Sequence, residues 1–183
     1  MIEAFYSSRD IDIVIQELLK AVVADTHMDR DFIFERLNPE DTVLTRTYRF
    51  NLEIPTADLN PFATIPISKI DWYDDGLTKG IPRFVSDTTA TADTERFIRP
   101  TDVKSYVQFP IIIDGQLAGL VGIANCHRSH EWTAEERQIY QDLSTFLSEL
   151  IARKKLERQI SHSNRVMTRI LDALHAMVYV VKE

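Results

Sequence analysis

The final part of the chain restricts its fold more than any other feature. No glycine or proline occurs between Thr133 and Glu183, so this stretch lacks the residues that most often break a helix. Thr133 and Glu136 have the spacing of a capping box, in which a hydroxyl and a carboxylate each accept a hydrogen bond from a backbone N–H group. The sequence therefore predicts one helix that starts near Thr133 and is far longer than a typical domain helix.

This predicted helix changes character along its length. Its first half carries a wide apolar stripe suited to packing on a sheet, formed by Ile139, Leu143, Phe146, Leu147, Leu150 and Ile151. Its second half keeps a narrow seam typical of a coiled coil, formed by Leu156, Ile160, Met167, Ile170 and Leu174. Because the step from Leu150 to Leu156 does not fit a strict heptad, we expect a phase shift near Arg153. A helix this polar is rarely stable alone, so we also expect a homodimer through the terminal helices.

The preceding residues predict a first helix, from about Asp10 to Ala24, and an antiparallel sheet. Residues 31–37 and 42–52 are separated by residues that favour a turn, which predicts a hairpin. In its second strand we expect Leu44 and Tyr48 to share the buried face. The sequence thus predicts an α+β fold.

A second hairpin is predicted over residues 105–126, where Asp114-Gly115 supplies the positive φ angles of a tight turn. Its second strand is expected to be central in the sheet. One face of that strand carries only one large residue, Leu120, among small ones: Ala118, Gly122, Ala124 and Cys126. We therefore expect a helix to approach this face closely.

Composition narrows the class of protein. The net charge is −7 and no block of basic residues occurs before position 150, so neither nucleic acid nor an anionic membrane is an expected partner. No apolar run approaches the roughly 18 residues that span a bilayer. The single cysteine cannot form an internal disulfide, which agrees with a reducing compartment. We expect a cytoplasmic protein.

Four motifs, taken together, resemble the GAF domain family. They are Leu77-x-x-Gly80-x-Pro82-x-x-Val85-x-Asp87, Ser105-x-Val107-x-x-Pro110, Asp114-Gly115-x-x-x-Gly119-x-x-Gly122 and Trp132-Thr133-x-Glu135-Glu136. The resemblance runs from about Asp10 to Ile151. It implies an antiparallel sheet with the terminal helices on one face and a small-molecule pocket on the other, and it implies binding and not catalysis.

The resemblance also predicts a domain organisation. Residues 1–151 are predicted to form a GAF sensory domain, and residues 152–175 a signalling helix or coiled-coil linker. Residues 169–183 resemble the entry of a PAS domain, so 176–183 are expected to start a truncated PAS domain with its first strand at 177–181. The chain would then be a fragment of a signal transduction protein of the sensor histidine kinase or diguanylate cyclase type, with a PAS and an output domain downstream.

A ligand pocket that is mostly apolar with a few polar anchors is what a small-molecule sensor needs. The residues that we predict to bind this unidentified ligand are Trp72, Tyr73, Asp74, Phe84, Asp87, Tyr106 and Phe109. The alternative is that Phe84 and Phe109 fill the core and Asp87 caps the following turn. The sequence identifies no cofactor, catalytic residue or metal ligand.

Cys126, His127 and His130 lie close together in the sequence, so a metal site or a nucleophilic cysteine has to be considered. Neighbours on an extended strand point to opposite faces, so Cys126 and His127 are not expected to share a metal, and only the two histidines remain as a pair. No base or oxyanion site for a nucleophilic Cys126 is recognisable. The free methionine sulfoxide reductases of this fold rely on several cysteines. The simplest interpretation is a small thiol at a strand end, followed by two solvent-facing histidines.

Two ligand-binding subsets of the family match poorly. Cyclic-nucleotide-binding GAF domains carry an Asn-Lys pair, but here Cys126 follows Asn125, and Glu136-Arg137 stands where Asp-Glu would be. Bilin-binding relatives attach the chromophore through a cysteine in the pocket region, and residues 53–104 contain none. A structural dimerisation GAF domain without a ligand, or an enzyme of this fold that uses Cys126, are the alternatives to a sensor.

Overall fold

The computed structural model of the protein describes residues 8–51, 63–70, 76–86 and 103–180. The elements are α1 (Ser8–Thr26), β1 (Arg30–Glu35), β2 (Val43–Asn51), β3 (Thr64–Pro66), β4 (Arg83–Val85), β5 (Ser105–Ile113), β6 (Gln116–Asn125) and α2 (Ala134–Val180). Two short 3-10 turns, Ile67–Lys69 and Leu77–Lys79, join β3 to β4 around the undescribed residues 71–75. The predicted α+β class and both predicted hairpins are confirmed.

The strands form one antiparallel sheet in the order β3-β2-β1-β6-β5-β4. Strand β6 lies between β1 and β5, so its predicted central position is confirmed. The tight turn before it has φ angles of 51° at Asp114 and 72° at Gly115. Positive φ at both turn residues matches the right-handed twist of the flanking strands.

Both long helices contribute to a core on one face of the sheet, which we call the helix-side core. Its sheet and helix residues include Ile15, Leu19, Ile33, Val107, Phe109, Val121, Ile123, Tyr140, Leu143, Leu147 and Ile151. The predicted apolar stripe of α2 needs correction at two positions, since Ile139 and Phe146 are 53% and 45% exposed. Tyr140, which is fully buried, packs on the sheet instead.

A β-bulge in β2 changes which side chains face the helices. Ile33 of β1 pairs with Tyr48, whereas the next residue, Phe34, pairs with Arg46, so Thr47 is an extra residue in β2. An extra residue reverses the alternation of side chains beyond it. Tyr48 therefore lies in the helix-side core while Leu44 lies in a cluster on the other face. The predicted shared face of Leu44 and Tyr48 is wrong for this reason.

Around Gly122 the small-residue face of β6 is covered by a side chain and not by a helix, so that prediction is also wrong. Ala118 does not share this face, since it is an extra residue in the pairing with β5 and lies in the helix-side core. Gly122 pairs directly with Phe32 of β1, and a Cβ atom on Gly122 would lie 2.2 Å from the Phe32 ring. A Cβ atom on Gly119 would lie 2.5 Å from the backbone oxygen of Phe34. Glycine is needed at both positions because neighbouring atoms occupy the space of a side chain.

Helix α2 is continuous over its 47 residues. Its capping box is formed as predicted: the Thr133 N–H donates to Glu136 Oε2 at 2.8 Å, and the Glu136 N–H donates to Thr133 Oγ1 at 3.2 Å. Residues 177–180, predicted as a strand, are the last turn of this helix. A lone strand has no partner with which to pair its backbone groups, whereas a helix satisfies them internally. The PAS assignment and the domain boundaries stay predictions.

We expect Gly122→Ala to lower the free energy of unfolding by about 1–3 kcal/mol, because the added methyl group overpacks against the Phe32 ring. Combining it with Phe32→Leu should recover part of that loss, so a double-mutant cycle by urea denaturation should show a favourable coupling energy. Gly119→Ala is the matched control, since its obstacle is backbone and Phe32→Leu should not relieve it. Additive effects of Gly122→Ala and Phe32→Leu would contradict this packing.

Candidate functional site

The face of the sheet opposite the helices, which we call the second face, carries its own apolar clusters. The larger one consists of Phe32, Phe34, Leu44, Ile65, Ile67, Leu77, Leu117 and Leu120. The rings of Phe32 and Phe34 meet edge to face with centroids 5.3 Å apart, a favoured aromatic geometry. Strands β1, β2, β3 and β6 and both 3-10 turns supply these residues, so the second face is a packed surface and not a bare sheet.

A smaller cluster lies at the other end of the second face. It consists of Val85, Val103, Tyr106 and Ala124, with Cys126 packed against it. The Cys126 thiol is thus partly buried at a strand end among apolar neighbours, as the simplest interpretation of its sequence predicts. Sulfur in such surroundings behaves as a small apolar group.

One buried polar side chain, Gln108, lies between the two clusters and was missed by sequence reasoning. It is 6% exposed and pairs with Gly122 across the ladder, the position in β6 that the Phe32 ring covers. The signal that could have identified it is a single amide in the apolar strand Ser105–Ile113. A buried amide surrounded by apolar groups is a natural polar anchor in a ligand site.

The structure separates the predicted ligand-binding residues. Tyr106 lies on the second face. Phe109 is fully buried in the helix-side core, and Phe84 packs against that same core, with its ring 5.4 Å from that of Trp132. Since Tyr106 and Phe109 are three positions apart on a strand, they point to opposite faces. The alternative interpretation, core filling, accounts for Phe84 and Phe109.

The other four members of that predicted set, Trp72, Tyr73, Asp74 and Asp87, lie outside the described residues. A ligand-binding role for the set therefore stays a prediction, and Tyr106 is its one described member on the second face.

The histidines near Cys126 each have their own carboxylate neighbour. His127 Nδ1 lies 2.9 Å from Asp29 Oδ2, whereas His130 Nε2 lies 2.7 Å from Glu136 Oε1. Within the described parts of the chain, no three His, Cys, Asp or Glu side chains converge as a metal-binding group. Partial burial by itself would raise the pKa of Glu136, but hydrogen bonds with Thr133 and with His130 outweigh it and lower that pKa. These contacts hold the loop between β6 and α2.

A buried ionic group joins the sheet to α2 at the point where the helix leaves the domain. Lys154 Nζ lies 3.0 Å from Glu35 Oε1, donates to the Tyr48 hydroxyl at 2.7 Å, and lies 3.4 Å from Asp12 Oδ1. The side chains of Lys154 and Glu35 are each only 2% exposed. We call Asp12, Glu35, Tyr48 and Lys154 the junction cluster; it draws one residue from each of α1, β1, β2 and α2.

The junction cluster satisfies its own hydrogen-bonding groups. The Lys154 ammonium has three donors and three oxygen neighbours, and the Tyr48 hydroxyl donates in turn to Asp12. Burial, with the nearby carboxylates of Asp12 and Glu35, raises the pKa of Tyr48 above its ordinary value. The hydroxyl therefore stays protonated and remains a donor.

A second lysine reinforces the same contact. Lys155 Nζ donates to the Arg36 carbonyl oxygen at 2.8 Å, just beyond the end of β1. Burial lowers the pKa of Lys155, although the Glu35 carboxylate opposes that change. Lys154 is the last buried residue of α2, and every residue whose burial is described from Arg158 onward is exposed. The end of β1 is thus the last buried contact between the domain and the helix, and one turn further along Arg158 Nη2 lies 3.7 Å from Asp12 Oδ2 at the surface.

An antiparallel sheet with two terminal helices on one face and an apolar second face defines an α+β domain. The sequence model of the GAF domain family matches residues 10–151. The chain therefore belongs to the GAF domain family.

The chain is similar to parts of two curated histidine kinases. The chain is 30% identical over 86 residues to the circadian input-output histidine kinase CikA of Synechococcus elongatus, covering 44% of this chain and 11% of the kinase. It is 26% identical over 140 residues to the methanogenesis regulatory histidine kinase FilI of Methanothrix harundinacea, covering 72% of this chain and 15% of that kinase. The chain thus spans only a small part of either relative.

Solved structures share the fold at low identity. One is the phycoerythrobilin-bound GAF domain from a cyanobacterial phytochrome, with a TM-score of 0.67, 20% identity, and coverage of 82% of this chain and 90% of that one. Another is the blue-light absorbing form of the Thermosynechococcus elongatus PixJ GAF domain, with a TM-score of 0.62, 20% identity, and coverage of 85% and 92%. Among the helices of the described ranges, none combines the length and apolar character that a bilayer crossing requires.

We expect Lys154→Met to lower the free energy of unfolding by about 3–5 kcal/mol, because it leaves the Glu35 carboxylate buried without its counter-charge. Removing both charges, in Lys154→Met with Glu35→Gln, should cost much less. Arg153→Ala is the matched control, because Arg153 is the residue next to Lys154 and its half-exposed guanidinium pairs with Glu157 at the surface. A surface ion pair of this kind contributes about 0–1 kcal/mol to stability. Equal losses for Lys154→Met and Arg153→Ala in urea denaturation would contradict the role given to the junction cluster.

Proposed function

We propose that this chain is the small-molecule-sensing regulatory domain of a larger signal transduction protein of the sensor histidine kinase or diguanylate cyclase type. Its similarity to domains of two histidine kinases supports this class. In this proposal the domain binds its ligand on the second face and catalyses no reaction, so Cys126 has no catalytic role. The protein acts in the cytoplasm, without nucleic acid or membrane as a partner.

The observation that carries the proposal is the two-sidedness of β1. Phe32 and Phe34 of this strand lie in the second-face cluster, whereas Ile33 lies in the helix-side core. Glu35, at the end of the same strand, holds Lys154 of α2. One strand of 6 residues therefore connects the proposed ligand-binding face to the point where the long helix leaves the domain.

A ligand affects the output only if it binds two arrangements of the domain with unequal affinity. A ligand that packs against Phe34 would favour one position of β1 over another. Because Glu35 is the next residue, its ion pair with Lys154 carries that preference to α2. The helix then transmits it to the PAS and output domains that we propose to follow, in a homodimer formed through the terminal helices.

The second face favours a mostly apolar ligand held by a few polar groups. Gln108 and Tyr106 supply an amide and a hydroxyl among apolar side chains. Two of the matched structures hold a bilin, but residues 53–104 of this chain contain no cysteine and Cys126 packs in the smaller apolar cluster. We propose a non-covalent ligand.

A structural dimerisation domain without a ligand is the second candidate function. The observation that favours it is the packing of the second face, where Phe34, Leu44 and Leu77 are at most 1% exposed. A face that is already filled by its own side chains has less need of a ligand to complete its core.

A thermal shift screen of the purified chain against a metabolite panel, with mass spectrometry of the small molecules it releases, separates the two functions. A ligand that binds only the folded state at about 100 times its dissociation constant adds about 2.7 kcal/mol of stability, so we expect a Tm increase of several degrees. Gln108→Leu should reduce that increase, whereas Gln138→Leu, at an exposed position of α2, should not. No hit and no released molecule would favour the structural function.

A further inference from the structure

The charged residues of the sheet are divided by sign between its two faces. The acidic residues of the described strands, Asp31 and Glu35, lie on the helix side: Asp31 pairs with Ile123 of the helix-side core, and Glu35 binds Lys154. The basic residues of these strands all lie on the second face, and they are Arg30, Arg46, Arg49 and Arg83. In a chain with a net charge of −7, the second face is thus cationic along its strands.

The pairing of the strands assigns these arginines to their face. Directly paired residues of antiparallel strands point to the same side of a sheet. Three arginines have partners in the apolar clusters of the second face: Phe34 for Arg46, Phe32 for Arg49 and Ala124 for Arg30. The bulge at Thr47 is what brings Arg46 and Arg49 to one face, because residues three apart on a regular strand point to opposite faces.

Three of the arginines lie close together on β1 and β2. Arg30 and Arg49 are diagonal neighbours, since Arg49 pairs with Phe32, two positions after Arg30, and such neighbours are about 7–8 Å apart. Arg46 is the next residue of β2 on the same face. We call Arg30, Arg46 and Arg49 the arginine group. Arg83 on β4 does not belong to it, because β4 lies four strands away from β2, or about 19 Å.

The arginine group has donors to offer to an anion. Like charges on neighbouring positions destabilise a sheet unless anionic groups lie among them. Arg30 and Arg49 already have partners, but a guanidinium carries five N–H donors and can bind more than one acceptor. In the part of the chain that the structure describes, Arg46 Nη1 is buried and has no hydrogen-bond partner. A buried donor of this kind costs free energy until it binds an acceptor.

We propose that the ligand of the second face carries an anionic group, a carboxylate or a phosphate, and that the arginine group binds it. This inference rests on the proposed function and specifies the chemical class of its ligand. Guanidinium groups bind both kinds of anion through paired N–H donors. The side chains that pair with Arg46 and Arg49 are apolar, so the remainder of the ligand is apolar.

This position of the anion also concerns the two strands that hold the long helix. Arg30 and Arg49 lie on β1 and β2, which supply Glu35 and Tyr48 to the junction cluster. Tyr48 is the residue before Arg49 and points to the opposite face. An anion bound by both arginines favours one arrangement of β1 against β2, and with it one position of the groups that bind Lys154.

Two fluorescent probes with the same aromatic framework test the charge requirement on the purified chain. Anilinonaphthalene sulfonate carries an anionic group on an apolar body, whereas phenylnaphthylamine has that body without the charge, and both become fluorescent in an apolar site. We expect the sulfonate to bind about tenfold more tightly, the effect of one hydrogen bond to a charged group. Competition with phenylacetate and with phenyl phosphate then distinguishes a carboxylate from a phosphate, and the uncharged phenylacetamide should not compete.

Substitutions locate the anion. Arg49→Met, at an exposed position, should weaken binding of the sulfonate about tenfold and leave the uncharged probe unaffected. Arg46→Met should have a similar effect, and Arg49→Lys, which keeps the charge, should restore part of the affinity. Arg165→Met removes the same charge from an exposed position of α2; it is the matched control and should bind like the unmodified chain. Circular dichroism verifies that each variant is folded.

The outcomes separate this inference from the proposed function. Equal affinity for the two probes, or equal effects of Arg49→Met and Arg165→Met, would overturn the anionic class but not sensing, because an uncharged ligand would still raise the Tm in the metabolite screen. A molecule without an acidic group released from the purified chain would also overturn it. No binding of either probe, together with no hit and no released molecule in that screen, would overturn both.

Discussion

The buried ion pair between Lys154 and Glu35 determines how the long helix sits on the domain. A carboxylate that is 2% exposed cannot lose its counter-charge without a large penalty, so α2 docks in the setting that brings Lys154 over Glu35. A slip by one residue would turn the helix by about 100° and break that pair. The same setting directs Leu147 and Ile151 into the helix-side core and turns Phe146 away from it. The ion pair and the apolar face of α2 therefore require the same rotation of the helix on the sheet.

Strand β1 connects this ion pair to the second face of the sheet. Strand β1 is buried on both sides, with Phe32 and Phe34 on the second face and Ile33 and Glu35 toward the helices. A strand packed on both faces moves as a unit because neither set of contacts can relax alone. The bulge at Thr47 adds the Tyr48 hydroxyl to the same junction. The apolar cluster of the second face and the docking of α2 thus both depend on one short strand.

Local signals in the sequence predicted most of the fold. The capping box at Thr133, the turn at Asp114-Gly115 and the periodicity of α1 each act within a few residues, and each appears in the structure as expected. The features that the sequence did not predict depend on contacts between residues that are distant in the sequence. The bulge at Thr47 is visible only in the register between β1 and β2, and the closeness of Gly122 to Phe32 only in the pairing of β1 with β6.

The candidate site was harder to predict for the same reason. Lys154 lies in a strongly basic stretch that indicates a solvated surface, and its partner Glu35 is 119 residues away. Tyr106 and Phe109 look equivalent in sequence, but strand alternation sends them to opposite faces. Gln108 stands out in the sequence as a single amide in an apolar strand. Its position opposite Gly122, however, is visible only in the pairing of β5 with β6. Residue type suggested the candidate ligand-binding groups, and only the pairing of strands showed which of them lie on the same face.

A single helix that serves both as a core element and as a rod has to carry two apolar faces at once. In α2 the apolar residues that face the sheet end at Ile151, whereas a line of exposed apolar residues begins before that point and continues to Leu174. The two faces overlap over the first half of the helix, and this overlap makes the periodicity of the sequence look out of phase near Arg153. Because both faces belong to one continuous helix, a change in how Lys154 sits on β1 cannot be absorbed at a break. Such a change would appear as a rotation or a shift of the whole helix.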